Sequence, residues 1–292
     1  MIIIKLQGGL GNQMFQYAFA SVLAKKNKTK LLLDTSFFEN TEKKLGFTPR
    51  PFELHVFNNN YKSASQKNIV SFDTLSLINR FKKKYGLRYP IKYIEDFSKY
   101  NPCLLSIKQD VYLQGYFQSY KYFMGYEDFV RHLFSFNTEA LSTSNKRILN
   151  IIKETNAVSI HVRRGDYVND ALTNAYHGTC GLDYYLEAIN ILELQYHNLT
   201  LFFFSDDMEW VKNAFGNLKQ QKYFVNDNLN NSWVDMLLMS VCRHHIIANS
   251  SFSWWGAWLN PNPLKTVVAP KQWNYNKELD ILTLLPEEWI KV

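Results

Sequence analysis

The chain has 292 residues, 46 % of them hydrophobic and 16 % aromatic, with a formal net charge of +7 and a pI near 9.1. Such a composition fits a soluble globular protein with a large core and two domains. The longest apolar runs, such as Leu199–Phe204, are far too short to span a bilayer; Met1–Lys5 runs into a glycine-rich loop, not a signal-peptide core; and Cys103, Cys180 and Cys242 are too scattered for a disulfide framework or a zinc knuckle. The expected location is therefore cytoplasmic.

Ile2–Leu6 has the pattern of a buried strand and leads into Gly8-Gly9-Leu10-Gly11-Asn12-Gln13. From Met14 to Lys26 the apolar residues Phe15, Phe19, Val22 and Leu23 recur at helical spacing, and Lys30–Asp34 reads as a second strand. This is a βαβ unit with a glycine-rich first turn. Asp34 even lies where a dinucleotide fingerprint places its ribose-binding acid, but counting from Gly9 the third glycine position is Met14, which argues against that fingerprint. Two readings of the loop stay open: a tight strand-to-helix turn, or a close backbone approach to a ligand, with Asn12 and Gln13 offering neutral hydrogen bonds.

Residues 37–107 are polar and aromatic, broken by Pro49, Pro51, Pro90 and Pro102, and are expected to form loops and short helices. Within them, residues 79–90 interleave Arg80, Lys82, Lys83, Lys84 and Arg88 with aromatics, as a solvated helical edge or a membrane-surface segment would. Asp110–Tyr116 reads as a strand and Tyr120–Phe134 as a helix. The aromatic crowd from Tyr112 to Phe123 suits either a core or a sugar-stacking surface. The polar stretch Ser135–Lys146 is the candidate linker, dividing the chain into 1–145 and 146–292.

Beyond it strands and helices alternate. Strands are expected at 157–163, 199–204, 222–225, 244–248 and 266–269, with helices at 183–196, 206–215, 233–241 and from Ser250 onward; Ser232-x-x-Asp235 makes a capping box. The alternation argues for an α/β fold with a doubly wound parallel sheet. His161 with Arg163, Ser205-Asp206-Asp207, Asn226-Asp227 and Asn249-Ser250-Ser251 then each fall at the carboxyl end of a different strand, the rim where such sheets bind ligands. Arg163 carries a permanent charge and a fork of donors suited to phosphate, and the helix starting at Ser250 offers free N–H groups to an anion. Asp206 and Asp207 suit a nucleobase or ribose, or else a helix N-terminus. No Asp-x-Asp pair occurs, and His244 and His245 point to opposite strand faces, a poor metal pair. Asn249-Ser250-Ser251 matches a glycosylation sequon, but a glycan there would block the site.

Five segments in order carry a resemblance: Gly8–Gln13 with Phe15–Ala18, Leu113–Ser119 with Lys121–Phe123, His161-x-Arg163-Arg164-Gly165-Asp166-Tyr167, Ser205–Asp207 and Asn249–Trp255. Together they resemble the bacterial α-1,2-fucosyltransferases of glycosyltransferase family 11, from the first strand to the last helix. The resemblance implies a GT-B-like fold with two Rossmann-like domains facing a cleft, 1–145 on the acceptor side and 146–292 holding the donor. It implies GDP-β-L-fucose as donor substrate and inverting transfer to the 2-hydroxyl of a terminal β-galactose, with no metal or other cofactor required.

It further implies that His161 and Arg163 contact the nucleotide and its β-phosphate. Arg164, Ser205, Asp206, Asp207, Asn249, Ser250, Ser251, Phe252 and Ser253 complete the donor side. Asn12 is expected to face the reacting sugar, with Gly9, Gln13 and Tyr116 on the acceptor side. Negative charge grows on the departing GDP, so a fixed guanidinium at Arg163 helps the transition state more than the ground state. Asp166 either takes the acceptor proton or orients an arginine by an ion pair. A galactose-terminated surface polysaccharide precursor, lipid-linked or not, is the implied acceptor; peripheral membrane contact through the basic segment is left open. The main rival among enzymes is a fucosyltransferase of other linkage or another nucleotide-sugar transferase on the same scaffold; the rival from charge alone is a non-catalytic nucleotide- or RNA-binding protein, against which no RNA-binding signature occurs.

Overall fold

The computed structural model describes residues 1–39, 42, 49–73, 76–96, 99–165, 178–226, 228, 231–273 and 281–292. Of these, 1–42, 49–135 and 281–286 form one compact unit, and 136–273 with 287–292 form another. The boundary expected at 145/146 shifts toward the N-terminus because the linker residues are anchored in the second unit. Phe136 stacks on Trp233 with ring centroids 6.3 Å apart, and the buried Asn145 amide donates to Asn228 Oδ1 at 2.8 Å.

The first unit is built on four parallel strands in the order β2-β1-β4-β3. These are β1 (Ile2–Lys5), β2 (Leu31–Asp34), β3 (Ile91–Ile94) and β4 (Val111–Gln114), with Ile3 paired to both Leu32 and Tyr112. The apolar run of β1 is fully buried, as a central parallel strand requires. Helix α1 (Leu10–Asn27) starts four residues earlier than its apolar spacing suggests and ends at Lys28 in the left-handed conformation (φ 49°), whose N–H closes back on Ala24 O and Lys25 O. Two short helices, α2 (Gln66–Asp73) and α3 (Leu77–Lys84), precede β3. The helix expected over Tyr120–Phe134 is broken: a 3-10 turn spans Tyr120–Phe123, Gly125 takes φ +76°, and only then does α4 (Glu127–Leu133) begin. The aromatic crowd is mainly core, since Phe117, Tyr122 and Phe123 are buried, with Phe117 and Tyr122 packed on Phe19 of α1.

In the second unit, α5 (Thr143–Glu154) leads into β5 (Asn156–Val162), followed by α6 (Leu182–Gln195), β6 (Leu199–Ser205), α7 (Met208–Phe215), β7 (Gln221–Val225), α8 (Ser232–Ser240), β8 (His244–Ile246), α9 (Ser251–Trp258) and β9 (Val267–Ala269). After α10 (Ile281–Leu284), which belongs to the first unit, β10 (Ile290–Lys291) adds a last edge strand. The six strands run parallel in the order β10-β9-β8-β5-β6-β7. The chain therefore winds one way from β5 to β7 and the other way from β5 through β8, so the strand order reverses between β5 and β8. Two parallel-sheet α/β units in one chain are the make-up of a GT-B-like fold.

Candidate active site

In an open parallel sheet, the crevice for a ligand opens outside the carboxyl ends of the strands where the winding reverses. Here that point lies between β5 and β8. Val162 ends β5, so Arg163, Arg164 and Gly165 leave it at the rim, while β8 runs through Asn249 and Ser250 into α9. The two sides meet: the His161 ring lies 5.6 Å from that of Phe252, in the first turn of α9.

His161 is buried, and its Nδ1 has no hydrogen-bond partner among the described residues. Burial pulls its pKa down to about 4, with Asp206 opposing and Arg163 reinforcing the shift, so the imidazole is neutral at physiological pH. Its position is fixed from the backbone, because Tyr185 of α6 donates its hydroxyl to His161 O at 3.2 Å. A neutral ring with an unpartnered buried nitrogen can donate to, or accept from, a ligand at this rim.

Asp206, just past the end of β6, is the organiser. Its Oδ2 lies 2.8 Å from Arg163 Nη1, its Oδ1 accepts from the Arg164 N–H at 2.8 Å, and the Gly165 N–H also donates to it. Burial alone would raise its pKa; the Arg163 charge and the two N–H groups outweigh burial and hold it below the usual carboxylate range. A Cβ on Gly165 would sit 2.8 Å from Asp206 Oδ2, so glycine is needed for this close approach. Asp207 accepts from Trp210 N at 3.1 Å, capping α7, and its other oxygen pairs with Arg164 Nε at 3.2 Å. The Arg164 guanidinium also lies 4.1 Å over the Trp210 ring. Asp206 and Asp207, read from sequence as acceptors for a base or ribose, are thus engaged by the protein itself, where they hold the two arginines. Ser205 Oγ accepts from the Asp207 N–H.

The loop after β8 is also internally braced. The buried Asn249 amide donates to Gly178 O and Trp273 O at 3.2 and 3.1 Å, which leaves no room for a glycan on the sequon. Ser250 Oγ accepts from Phe252 N, capping α9, and Ser253 Oγ donates to Ala248 O. Ser251 opens the helix between them. Asp166 and Asp227 lie outside the described residues. His245 is satisfied as a core residue: its Nε2 accepts from Asn260 Nδ2 and its Nδ1 meets Ser159 Oγ, both at 2.8 Å. Among the described residues no group of three or more His, Cys, Asp or Glu side chains is placed to hold a metal ion.

The residues assigned to the acceptor side lie on the rim of the first sheet, where neutral groups dominate. Gly8 has φ +77°, and a Cβ there would come 2.6 Å from Asn12 Nδ2; Gly9, the N-cap of α1, has open space instead. Asn12 Oδ1 accepts from Gln118 Nε2 at 2.8 Å. Gln13 is fully buried, donating to Gly8 O and Pro51 O and accepting from Glu53 N, each at 2.9 Å; it is a structural brace, not a ligand contact. Asp34, the apparent ribose acid, accepts from the buried Tyr112 hydroxyl at 2.6 Å. Tyr116 keeps an exposed ring while its N–H donates to Glu95 Oε2 at 2.7 Å.

A model of the family described as glycosyl transferase family 11 matches residues 1–291. The chain belongs to glycosyltransferase family 11. Two Escherichia coli relatives are similar end to end: an O-antigen biosynthesis glycosyltransferase, WbnK (35 % identity over 306 residues, 98 % of this chain and 99 % of that one), and an alpha-1,2-colitosyltransferase (35 % over 295 residues, 100 % and 99 %). A galactoside alpha-(1,2)-fucosyltransferase 1 from Alouatta belzebul is 31 % identical over 104 residues, 35 % of this chain and 28 % of that one. This family-11 chain is a glycosyltransferase, and both rims lie within the matched span.

Two residues of the glycosyltransferase escape sequence reasoning, and a third takes another role. Glu95, next to the strand β3, accepts from the N–H groups of both Tyr116 and Phe117 and so holds Phe117 in a left-handed conformation (φ 50°) that a non-glycine residue adopts only under constraint. The alternation Ile91-Lys92-Tyr93-Ile94 was the available signal for β3 and hence for Glu95. Trp210, under Arg164, gave no signal. Asp235, expected in a capping box with Ser232, instead accepts from Asn228 Nδ2 at 2.7 Å, and burial raises its pKa to about 7.

Proposed function

We propose that this glycosyltransferase is an inverting α-1,2-fucosyltransferase that moves L-fucose from GDP-β-L-fucose to the 2-hydroxyl of a terminal β-galactose. The observation that carries the reading is Arg163, fixed by the Asp206 carboxylate at the reversal point of the sheet, beside neutral His161 and the first turn of α9. The donor's diphosphate lies there, taken by the Arg163 guanidinium and by N–H groups of α9. The acceptor oxygen attacks C1 of fucose on the face opposite GDP, the C1–O bond breaks, and its electron pair leaves with the β-phosphate. Arg163, already oriented, meets that charge without reorganising. The proton of the attacking hydroxyl needs an acceptor, and Asp166, three residues beyond Arg163 in the sequence, is the candidate base. The reaction is proposed to need no metal. A galactose-terminated polysaccharide precursor is the acceptor class, in keeping with a full-length relative in O-antigen biosynthesis.

A second donor is favoured by one observation, the full-length relative that is an alpha-1,2-colitosyltransferase. Colitose is L-fucose without its 3-hydroxyl, so the same diphosphate grip and the same inversion serve both sugars. The test measures GDP release by the purified protein with GDP-fucose or GDP-colitose, lactose as acceptor, with and without EDTA. Lactose-dependent release with EDTA present, and a product fucosylated at O2 of galactose, is expected. Release from GDP-colitose alone transfers the reading to the deoxy sugar, loss of release in EDTA removes the metal-free step, and failure of the protein to bind GDP overturns the reading of the rim.

A further inference from the structure

An ordinary surface helix buries its apolar stripe and shows its polar face to water. Helix α3 does the reverse. Leu77, Ile78 and Phe81 share one side, and they are 82 %, 68 % and 56 % exposed; Tyr85 and Leu87 continue the ridge at 59 % and 54 %. The less exposed residues of the helix are Asn79 and Lys82, and none of its residues is buried. The ridge is continuous, with the Phe81 and Tyr85 rings 4.4 Å apart. Five exposed large apolar side chains within eleven residues are a patch that requires a partner.

Charge says what that partner is. Arg80, Lys82, Lys83, Lys84 and Arg88 flank the ridge, and no Asp or Glu occurs between residues 76 and 94. Lys92, further on, is already paired with Asp73. The lysines lie along the aromatic faces, Lys84 Nζ at 5.7 Å from the Tyr85 centroid and Lys83 Nζ at 5.9 Å from that of Tyr89. Cations bordering an exposed apolar ridge match an anionic bilayer surface, where the ridge enters the acyl boundary and the ammonium groups stay at the headgroups. A second copy would bring like charges together. A nucleic acid would use the cations and the two rings but not Leu77, Ile78 or Leu87, which have no π-face.

We propose that α3 and the segment to Arg88 are a docking surface by which the enzyme binds peripherally to an anionic lipid bilayer. This places a soluble catalyst where lipid-borne acceptors are presented, yet it stands independently of which sugar is transferred.

The test is sedimentation of the full chain with vesicles of phosphatidylcholine alone, or with 30 % phosphatidylglycerol, at low and moderate salt. Binding only to the anionic vesicles, weakened by salt, is expected. The triple variant Lys82→Ala/Lys83→Ala/Lys84→Ala should partition about a hundredfold less, at roughly a factor of five per lysine. Leu77→Ser/Phe81→Ser should lose about tenfold or more even at low salt. Both variants should keep the wild-type melting temperature and GDP binding, because α3 contributes nothing to either rim. No binding of the wild type to anionic vesicles, or wild-type binding by both variants, overturns the proposal. So does a wild-type dimer that Leu77→Ser/Phe81→Ser disperses, or tight RNA binding that this variant leaves intact, each of which gives the face another occupant.

Discussion

The two sheet rims of this enzyme are assembled by opposite means. At the ends of β5 and β6 each arginine is held by a carboxylate, Arg163 by Asp206 and Arg164 by Asp207, beside the neutral His161 ring. Around β1 and β4 the links are neutral amides and backbone, Gln118 to Asn12 and Gln13 to Gly8 and Pro51, with Glu95 spending its carboxylate on backbone N–H groups. A rim of fixed charges is suited to a leaving group that gains charge, whereas a rim of amides is suited to sugar hydroxyls, which need partners but no counter-ion. The proposed division of labour between donor and acceptor matches this difference in the type of contact.

Arg163→Ala strikes the charged rim hardest. Turnover should fall about a thousandfold with an unchanged melting temperature, and near-normal turnover would remove the residue from the mechanism. Acid should act next, also through the second unit. His161 and His244 titrate near 4, and His245 well below its ordinary value, all through burial. The unfolded chain therefore takes up these protons first as pH falls below about 6.5, and stability is lost with falling pH; Asp235, raised to about 7, works against them in the same window. Glu95, also raised by burial, opposes them as well, and with three histidines on the other side a net loss of stability is expected as pH falls from about 6.5 to about 5, read from denaturant midpoints. Asp235→Asn should steepen it, and a flat profile would contradict the buried neutral histidines.

Smaller effects separate the rims. Asp206→Asn leaves the shape but removes the charge that orients Arg163, so kcat should drop by roughly thirtyfold, more than the donor KM changes. On the neutral rim, Glu95→Gln keeps one acceptor for two N–H groups; the acceptor KM should rise about tenfold, with the donor KM unaltered. A donor KM that moves with Glu95, or an acceptor KM that moves with Asp206, breaks the division.

Much of the second unit was legible because its strands are apolar, evenly spaced and end in polar clusters. Asp207 caps α7 as the sequence suggests, and the His161 and Phe252 rings lie 5.6 Å apart. The reversal between β5 and β8 was not legible, since strand order is a tertiary fact that periodicity does not carry. In the first unit, β3 escaped notice because its alternating burial is that of an edge strand, and Glu95 escaped with it because its partners are backbone N–H groups twenty-one and twenty-two residues away. Gln13 misled for a related reason: a fully buried side-chain amide in the first turn of α1 looks, from sequence alone, the same as one offered to a sugar. The broken helix after Tyr120 hinges on Gly125, whose positive φ ends a pattern that apolar spacing would have continued.

The stacking of Arg164 on Trp210 gives the molecule a built-in optical signal. A guanidinium 4.1 Å above an indole polarises its excited state, and any anion that draws Arg164 toward itself changes that field. Nucleotide binding should therefore shift the emission of Trp210 with no label attached. Trp210→Phe serves as the blank that subtracts the emission of the other six tryptophans. An affinity for the donor can then be read by titration in a cuvette before any acceptor has been identified.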